Sequence, residues 1–199
     1  MRSKGTITLV VLVVVLGLAG CGATSSYNNL VQSDERVKTA WSNLQAQYQR
    51  RADLVPNLVE TVKGAADFEK ETLQSVTEAR AKATSVQVSA EDLNDPQKLQ
   101  QFQKAQSALG QSLGRLLAVS ENYPKLQATQ AFSDLQAQLE GTENRITVAR
   151  RDYNQAVQQY NTKVRTFPTV LFAGIMGFQP RTAFEAETGA DQAPDVSFD

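Results

Sequence analysis

The sequence predicts an all-α protein, an elongated up-and-down antiparallel bundle of three to four long helices. Apolar residues recur at alternating steps of three and four along most of the chain, which places them on one face of a helix. Glycine and proline are few, 11 and 6 of 199 residues, so little interrupts these runs. Helices with one apolar stripe are unstable alone, and short connections make neighbouring helices antiparallel.

The first helix is predicted from about Tyr27 to Thr84. Pro56 lies inside it, removes a backbone donor and crowds the preceding turn, so a kink or a break is expected near residues 53–56. The apolar pattern keeps its phase across Pro56, which favours a kink. The apolar seam of this helix consists of Leu30, Val37, Trp41, Leu44, Tyr48, Val55, Leu58, Val62, Ala65, Val76 and Ala83.

Two further helices follow a polar stretch at residues 85–94. Asp95 and Pro96 provide an N-cap followed by proline at the first helical position, and this second helix fades near Asn122. The third helix has the most regular pattern, because every seventh position is apolar, and it is predicted to be long. These positions are Phe132, Leu139, Ile146, Tyr153, Tyr160 and Phe167.

The most apolar stretch outside the N-terminus is residues 170–178. Two interpretations of it remain open. It could form a short helix that closes one end of the bundle, or an exposed patch that docks on a partner or touches a membrane. The bundle is predicted to span residues 27–178, and residues 179–199 are predicted to form a C-terminal tail.

Residues 1–20 are predicted to be a signal peptide. Arg2 and Lys4 form a positive head, and the segment from Ile7 to Leu18 is mostly apolar. Its length of about 12 residues suits a signal peptide, whereas a membrane-spanning helix needs about 20. The alternative is an uncleaved membrane anchor.

The segment Leu18-Ala19-Gly20-Cys21 resembles the lipobox of bacterial lipoprotein precursors. In such precursors the peptide is cut before the cysteine and the thiol is acylated. Residues 21–26 would then comprise the lipidated Cys21 and a short linker. A lipid on Cys21 would hold the protein at a membrane, and attachment is stable with two or three acyl chains.

The charges at the N-terminus predict where the bundle lies. Arg2 and Lys4 are expected to stay in the cytoplasm, so the residues after Cys21 are expected outside it, on the periplasmic face. Gly22 directly after the cysteine favours the outer membrane in a bacterium with two membranes.

The composition excludes several kinds of chemistry. The chain has no histidine and one cysteine, so a Ser-His-Asp triad, a His-Glu-x-x-His zinc site and a Glu-x-x-His di-iron site are impossible. A net charge of −1 without a basic cluster argues against nucleic-acid binding. We predict no catalytic residue, cofactor or metal. Glu140 and Glu143 could act as acid and base, but a solvated or salt-bridged face is the more common role of such a pair.

One group of polar residues could form a site. Arg51 falls on the apolar seam, so it should be buried, and a buried cation needs a carboxylate partner. We interpret the group as a network that fixes the register between the first and third helices. The alternative is a polar site that binds a partner or ligand. The group comprises Arg50, Arg51, Asp53, Asn57, Glu60, Glu140, Glu143, Asn144 and Arg145.

Two long blocks of sequence, together with shorter ones, resemble the LemA family. The blocks are Arg-Arg-Ala-Asp-Leu-Val-Pro-Asn-Leu-Val-Glu-Thr-Val-Lys-Gly at 50–64 and Leu-Glu-Gly-Thr-Glu-Asn-Arg-Ile at 139–146. The resemblance runs from Tyr27 to about Phe198. It implies a LemA-like helical bundle on an N-terminal membrane anchor. It implies no catalytic residues, because none are agreed for the family.

The sequence departs from this family in two places. Members usually have an ordinary membrane-spanning helix, whereas this chain has a lipobox that ends at Cys21. Many members have a tyrosine and then a histidine after the glycine that corresponds to Gly64, where this chain has Ala65 and Phe68 in the neighbourhood. Any function that needs that histidine would be missing here.

These observations together predict a non-enzymatic lipoprotein that acts as a scaffold or adaptor for other proteins of the bacterial cell envelope. One alternative is a carboxylate-based hydrolase of cell-wall material. Another is a structural protein that assembles with itself through its heptad seams, as a homo-oligomer.

Overall fold

The computed structural model describes residues 2–64 and 68–185, and within 2–23 it describes the side chain of Leu9 alone. These ranges contain five α-helices and no strand, which confirms the predicted all-α class. The helices are α1 (Arg2–Lys63), α2 (Lys70–Ser85), α3 (Pro96–Ser120), α4 (Pro124–Gln127) and α5 (Gln130–Arg165). Two 3-10 turns follow α2 and α5, at Glu91–Asn94 and Thr169–Leu171.

The first helix ends earlier than the sequence predicts. Helix α1 runs through Pro56 without a break and stops at Lys63, so the predicted single helix to Thr84 is wrong. Gly64 follows the last helical residue, a position where glycine commonly ends a helix. Glu69 has extended backbone angles and precedes the first residue of α2.

Pro56 is accommodated because a neighbouring helix supplies the hydrogen bond that the proline lacks. Proline has no N–H, so the carbonyl of Ala52, four residues earlier, loses its normal helical donor. Arg80 of α2 donates from Nε to this carbonyl oxygen at 2.8 Å. Pro56 itself is exposed, so its ring meets solvent rather than a packed neighbour. The proline therefore becomes a point where α2 attaches to α1.

The contacts between helices define their directions. Lys163 Nζ of α5 donates to Ser33 Oγ of α1 at 2.7 Å, and Arg51 Nη1 of α1 donates to Glu143 Oε1 of α5 at 2.9 Å. These two helices therefore run antiparallel. Helix α2 returns along the distal part of α1, and α3 runs back along α2. The connection between them crosses α1, where Trp41 Nε1 donates to the carbonyl oxygen of Val88 at 3.1 Å.

The buried apolar residues form two clusters along the bundle. The aromatic core is the cluster nearer Tyr27, and the leucine core is the cluster at the far end. The aromatic core contains Leu30, Val37, Trp41, Leu44, Tyr48, Val88, Leu93, Leu99, Phe102, Ile146, Tyr153, Val157, Tyr160, Val164, Ala173 and Phe184. The leucine core contains Val55, Leu58, Val59, Val62, Phe68, Val76, Ala83, Leu109, Leu113, Leu116, Leu126, Phe132 and Leu139.

Residues 179–185, which we call the strap, pack against the bundle rather than forming a tail. Asn161 of α5 donates from Nδ2 to the carbonyl of Arg181 and accepts from its N–H, both at 2.8 Å. Asn154, one heptad earlier, makes the same pair of bonds with Phe184, at 3.0 and 2.8 Å. The two asparagines therefore bind the strap much as a neighbouring β-strand would.

Tyrosines and an ion pair fix the strap further. Tyr153 donates to the carbonyl of Thr182 at 2.8 Å, and Tyr160 to that of Gln179 at 2.9 Å. Arg181 forms an ion pair with Asp34 of α1 at 2.8 Å, and both side chains are largely buried. The packed body thus reaches Glu185, beyond the boundary at 178 that the sequence suggested. Residues 186–199 lie outside the described residues.

The segment between α5 and the strap exposes its large apolar side chains. We call residues 167–177 the apolar loop. The expected short helix is limited to the 3-10 turn Thr169–Leu171, followed by consecutive turns. Ile175 is 89% exposed, and the other exposed large residues of the loop are Phe167, Val170, Leu171 and Met176.

The structure bears on only some of the predictions for the N-terminus, because few side chains are described there. Helix α1 continues through residues 21–26, so the segment predicted as a short linker is helical here. The side chain of Cys21, the predicted lipidation site, lies outside the described side chains. Among the residues that the structure describes, no helix is both long enough and apolar enough to cross a membrane.

Candidate functional site

Arg51 stands at the centre of the bundle, at the level that separates the aromatic core from the leucine core. Its side chain is 4% exposed. One guanidinium nitrogen, Nη1, donates to Glu143 Oε1 of α5 at 2.9 Å. The other, Nη2, donates to the carbonyl and to the side-chain Oε1 of Gln106 in α3, at 2.8 and 2.9 Å. A buried cation is thus given charged and neutral acceptors from two other helices.

Gln106 extends this network to α2. Its Nε2 donates to the carbonyl of Ala83 in α2 at 3.1 Å. Arg51 and Gln106 therefore connect α1, α2, α3 and α5 within one layer. Because these bonds join three different pairs of helices, α1–α5, α1–α3 and α2–α3, the layer fixes how the helices align along their axes.

Arg51 is tightly surrounded by other residues, but not every nitrogen of its guanidinium group has a hydrogen-bond partner in the described part of the chain. Its guanidinium carbon lies 5.2 Å from the centroid of the Tyr48 ring, within the range of a cation–π contact. Gly110 faces the guanidinium closely, since a Cβ at this position would lie 3.4 Å from Nη1. Within the described part of the chain, Arg51 Nε is buried and finds no hydrogen-bond acceptor.

A groove of roughly 610 Å³ runs over this layer between α3 and α5. It remains open because α3 packs mainly on α2, and α5 mainly on α1. Gly110 and Gly114 have no side chains that would fill the α3 side of the groove. Arg51 and Gln106 lie at its floor. Its remaining lining residues include Gln103, Ser107, Gln111, Leu117, Glu140, Glu143, Asn144, Thr147 and Arg150.

The structure brings together only part of the predicted polar group. Glu143 contacts Arg51, and Glu140 and Asn144 line the same groove without reaching the guanidinium. Glu140 accepts instead from Gln136, one turn earlier on α5, at 3.1 Å.

The four polar residues predicted on the first helix beside Arg51 lie elsewhere. Arg50, Asp53, Asn57 and Glu60 are exposed and do not line the groove. Asp53 accepts from Gln49 at 2.7 Å, and Glu60 pairs with Lys63 of the same helix at 2.8 Å.

Arg145 belongs to a second groove, on the opposite side of α5. This groove lies between α1 and α5 and has a volume of roughly 640 Å³. Asn144 lines both grooves because it sits at the crest of α5. Charges of both signs border the second groove, including Glu35, Arg36 and Asp152.

The chemistry of the Arg51 groove is that of hydrogen bonding. Glu143 is held by Arg51 in an ion pair across the groove, with Nη1 and Oε1 2.9 Å apart. The described residues contain no group of three or more metal-ligating side chains. The groove can therefore offer amide, hydroxyl and carboxylate groups, together with apolar contact from Leu117 and Leu139, to a bound segment.

Two partners in these networks were missed from the sequence. Gln106 occupies a seam position of α3, four residues after Phe102 and three before Leu109. A polar residue on an apolar seam was therefore a usable signal. Arg181 had no such signal, because the strap has no periodicity and its partner Asp34 lies 147 residues away.

Comparisons with known proteins identify the family of this chain. A model of the LemA family matches residues 40–198. Magnetosome protein MamQ 2 of Paramagnetospirillum magneticum is 27% identical over 94% of this chain and 76% of its own length. Protein LemA of Metamycoplasma hominis is 26% identical over 80% of this chain and 68% of its own length. Magnetosome protein MamQ of Magnetospirillum gryphiswaldense is 25% identical, again over 94% of this chain and 76% of its own length. The chain therefore belongs to the LemA family.

Proposed function

We propose that this protein is a membrane-anchored lipoprotein of the bacterial cell envelope that acts as a non-enzymatic scaffold or adaptor. The groove between α3 and α5 is the site where it binds a segment of a partner protein. The observation that carries the proposal is the open groove over a buried, structurally paired arginine. The groove has the size of a ligand or side-chain binding site, and its walls come from two rigid helices.

The groove suits a helical or extended segment with mixed polarity. Gly110 and Gly114 leave room for a partner to approach the α3 backbone closely, since neither carries a side chain. Leu117 and Leu139 offer apolar contact, while Gln111 and Glu140 offer hydrogen bonds at the rim. Interfaces commonly combine such an apolar centre with a polar edge.

The anchoring half of the proposal rests on α1 and on the lipobox. One helix runs from Arg2 to Lys63, so the segment that carries Cys21 continues directly into the bundle. Cys21 lies six residues before Tyr27, a rise of about 9 Å along a helix. An acylated Cys21 would therefore hold the end of the bundle near Tyr27 close to the membrane surface.

Site-specific photo-cross-linking in native membranes tests the binding half. We would place a photoreactive amino acid at Gln111, an exposed residue that lines the groove. The matched control is Ser75, an exposed residue on α2 away from the groove. We expect Gln111 to capture a reproducible set of envelope proteins that Ser75 does not capture.

Three results would contradict the proposal. Equal capture from both positions would remove the groove as the site. Capture of this chain alone would favour self-assembly, and release of cell-wall fragments by the purified protein would favour a hydrolase. Mass spectrometry of the N-terminal peptide tests the anchor, with Cys21→Ser as the control. An intact, unmodified N-terminus in the wild-type protein would refute lipidation.

A further inference from the structure

We infer that the apolar loop, residues 167–177, inserts into the lipid bilayer interface as a second membrane contact beside the N-terminal anchor. This inference rests on the proposed anchoring at the membrane. It concerns a different part of the chain, far from Cys21 in sequence. The loop contacts a lipid surface rather than a protein.

The exposed side chains of the loop are too large and too numerous for an ordinary turn. Phe167 is 75% exposed, Leu171 67% and Ile175 89%. Val170 and Met176 are also exposed. No charged residue occurs between Arg165 and Arg181 in the sequence. A contiguous exposed apolar surface of this kind marks a binding or membrane-contacting region.

Most backbone amides of the loop are already hydrogen-bonded, which favours entry into a water-poor environment. Val170, Phe172 and Ala173 donate to carbonyls of Thr166 and Thr169 at 2.9–3.1 Å. Leu171, Met176, Gly177 and Phe178 also donate, to acceptors within the loop at 2.9–3.2 Å. These bonds reduce the number of backbone contacts with water that the loop loses when it enters a membrane interface.

Buried contacts hold the loop in this shape. Ala173 is 2% exposed and belongs to the aromatic core. Phe178, directly after the loop, packs its ring edge-on against Tyr27 of α1, with the centroids 5.6 Å apart. The strap then fixes the chain beyond it. The exposed side chains are thus presented by a rigid support.

The loop lies at the same end of the bundle as the anchor. It begins after α5 ends at Arg165, next to the level where Lys163 contacts Ser33 of α1. Tyr27 packs at the other end of the loop, and Cys21 lies about 9 Å further along α1. The exposed Arg165 precedes the loop, where a cation can meet lipid phosphates. One membrane surface can therefore hold both the anchor and the loop.

Quenching by brominated lipids tests the insertion directly. The full chain with Ile175→Trp would be reconstituted in vesicles of phosphatidylcholine and phosphatidylglycerol, with or without bromine on the acyl chains. Native Trp41 is 1% exposed and supplies a constant background. The matched control is Val148→Trp, because Val148 is also apolar and exposed, at 47%, but lies about 26 Å further along α5 from its end at Arg165.

We expect bromine to lower the emission of the Ile175→Trp chain about two-fold, because interfacial insertion reaches about 5–10 Å into the headgroup and acyl boundary. The Val148→Trp chain should show no such loss. Equal quenching in both chains would overturn the inference. So would a blue-shifted emission from the Ile175→Trp chain that is insensitive to bromine and grows with protein density, since a second copy would then cover the loop.

Flotation of the same vesicles separates this inference from the proposed anchoring. A wild-type chain that does not float with the vesicles refutes membrane attachment and the loop inference together. A chain that floats but shows no bromine quenching from Ile175→Trp refutes the loop inference alone. Flotation with selective quenching supports both.

Discussion

The aromatic core and the leucine core are built from the same helices but are stabilised differently. In the aromatic core, Trp41 contacts the rings of Phe102, Tyr153 and Phe184 at centroid distances of 5.3–6.0 Å. The strap closes this core with hydrogen bonds to α5. The leucine core is closed by helices and short connections, and most of its buried residues are aliphatic.

This difference shows how specificity is distributed along a helical bundle. Aliphatic side chains contribute stability through buried area, but they tolerate rearrangement. Tryptophan and tyrosine add directional hydrogen bonds, as Trp41 does with Val88 and Tyr153 with Thr182. The aromatic end therefore has one preferred packing, and it is the end nearest the proposed membrane contacts.

The largest expected effect is that of Trp41→Ala. Loss of a fully buried tryptophan should lower the free energy of unfolding by about 3–5 kcal/mol, against about 2–5 kcal/mol for Leu109→Ala in the leucine core. Trp41→Ala should also speed hydrogen exchange in the strap, because Phe184 stacks on Trp41. Urea unfolding and hydrogen-exchange mass spectrometry measure both. If Leu109→Ala speeds hydrogen exchange in the strap as much as Trp41→Ala does, the two cores do not differ in how they hold the strap.

The next effect concerns Arg51, which lies between the two cores. Arg51→Met should lower the free energy of unfolding by about 1–3 kcal/mol, because Gln106 Oε1 is left buried without a donor. The double variant Arg51→Met, Gln106→Leu should recover part of this loss. Urea unfolding is the measurement, and the exposed Arg50→Met is the control. If Arg51→Met leaves stability unchanged but abolishes cross-linking from Gln111, the residue serves binding rather than register.

A smaller effect is expected when one strap contact is removed. Asn161→Ala eliminates two hydrogen bonds to Arg181 and should cost roughly 1 kcal/mol. Hydrogen exchange at the amide of Arg181 should accelerate, while amides in the leucine core stay protected. Asn144→Ala, on an exposed position of the same helix, is the matched control. Acceleration throughout the protein would mean that the strap and both cores unfold as one unit.

The smallest effect is a loss of stability at alkaline pH. Burial raises the pKa of Tyr153 and also that of Tyr160 above the ordinary value. Since the unfolded chain ionises these tyrosines at about pH 10 and the folded chain resists ionisation, the free energy of unfolding should fall as the pH rises above about 10. Chemical unfolding at several pH values measures the slope. Tyr153→Phe should reduce it, and an unchanged slope would contradict the assignment.

Much of the core followed from the sequence because helical burial is a local, periodic property. The seam residues from Leu30 to Val62 are buried, as are Phe132, Leu139 and Tyr153 of the third helix. The predicted helix end at Thr84 was wrong, because α1 ends at Lys63, whereas the helix does run through Pro56 without a break, as the phase of the seam favoured. The carbonyl that Pro56 leaves free is bound by Arg80, a contact that sequence spacing does not contain.

The site was predictable only where a polar residue interrupts an apolar seam. Arg51 stood out on α1 for this reason, and it is buried, at 4% exposure. Its neighbours Arg50 and Asp53 lie on the exposed face, one and two residues away from it. The predicted polar group was therefore too large, because adjacent residues on a helix point in different directions and only some of them face the bundle interior.

The sequence by itself determined the helical class, the family resemblance and the apolar faces, because heptad spacing repeats within each segment. The tertiary structure decided which carbonyl or carboxylate each buried polar group meets, where α1 ends, and that residues 179–185 pack as a strap. These features depend on backbone atoms from distant segments, as in the bond from Tyr160 to Gln179 and the ion pair of Asp34 with Arg181. Such contacts leave no period in the sequence, so only the packed chain reveals them.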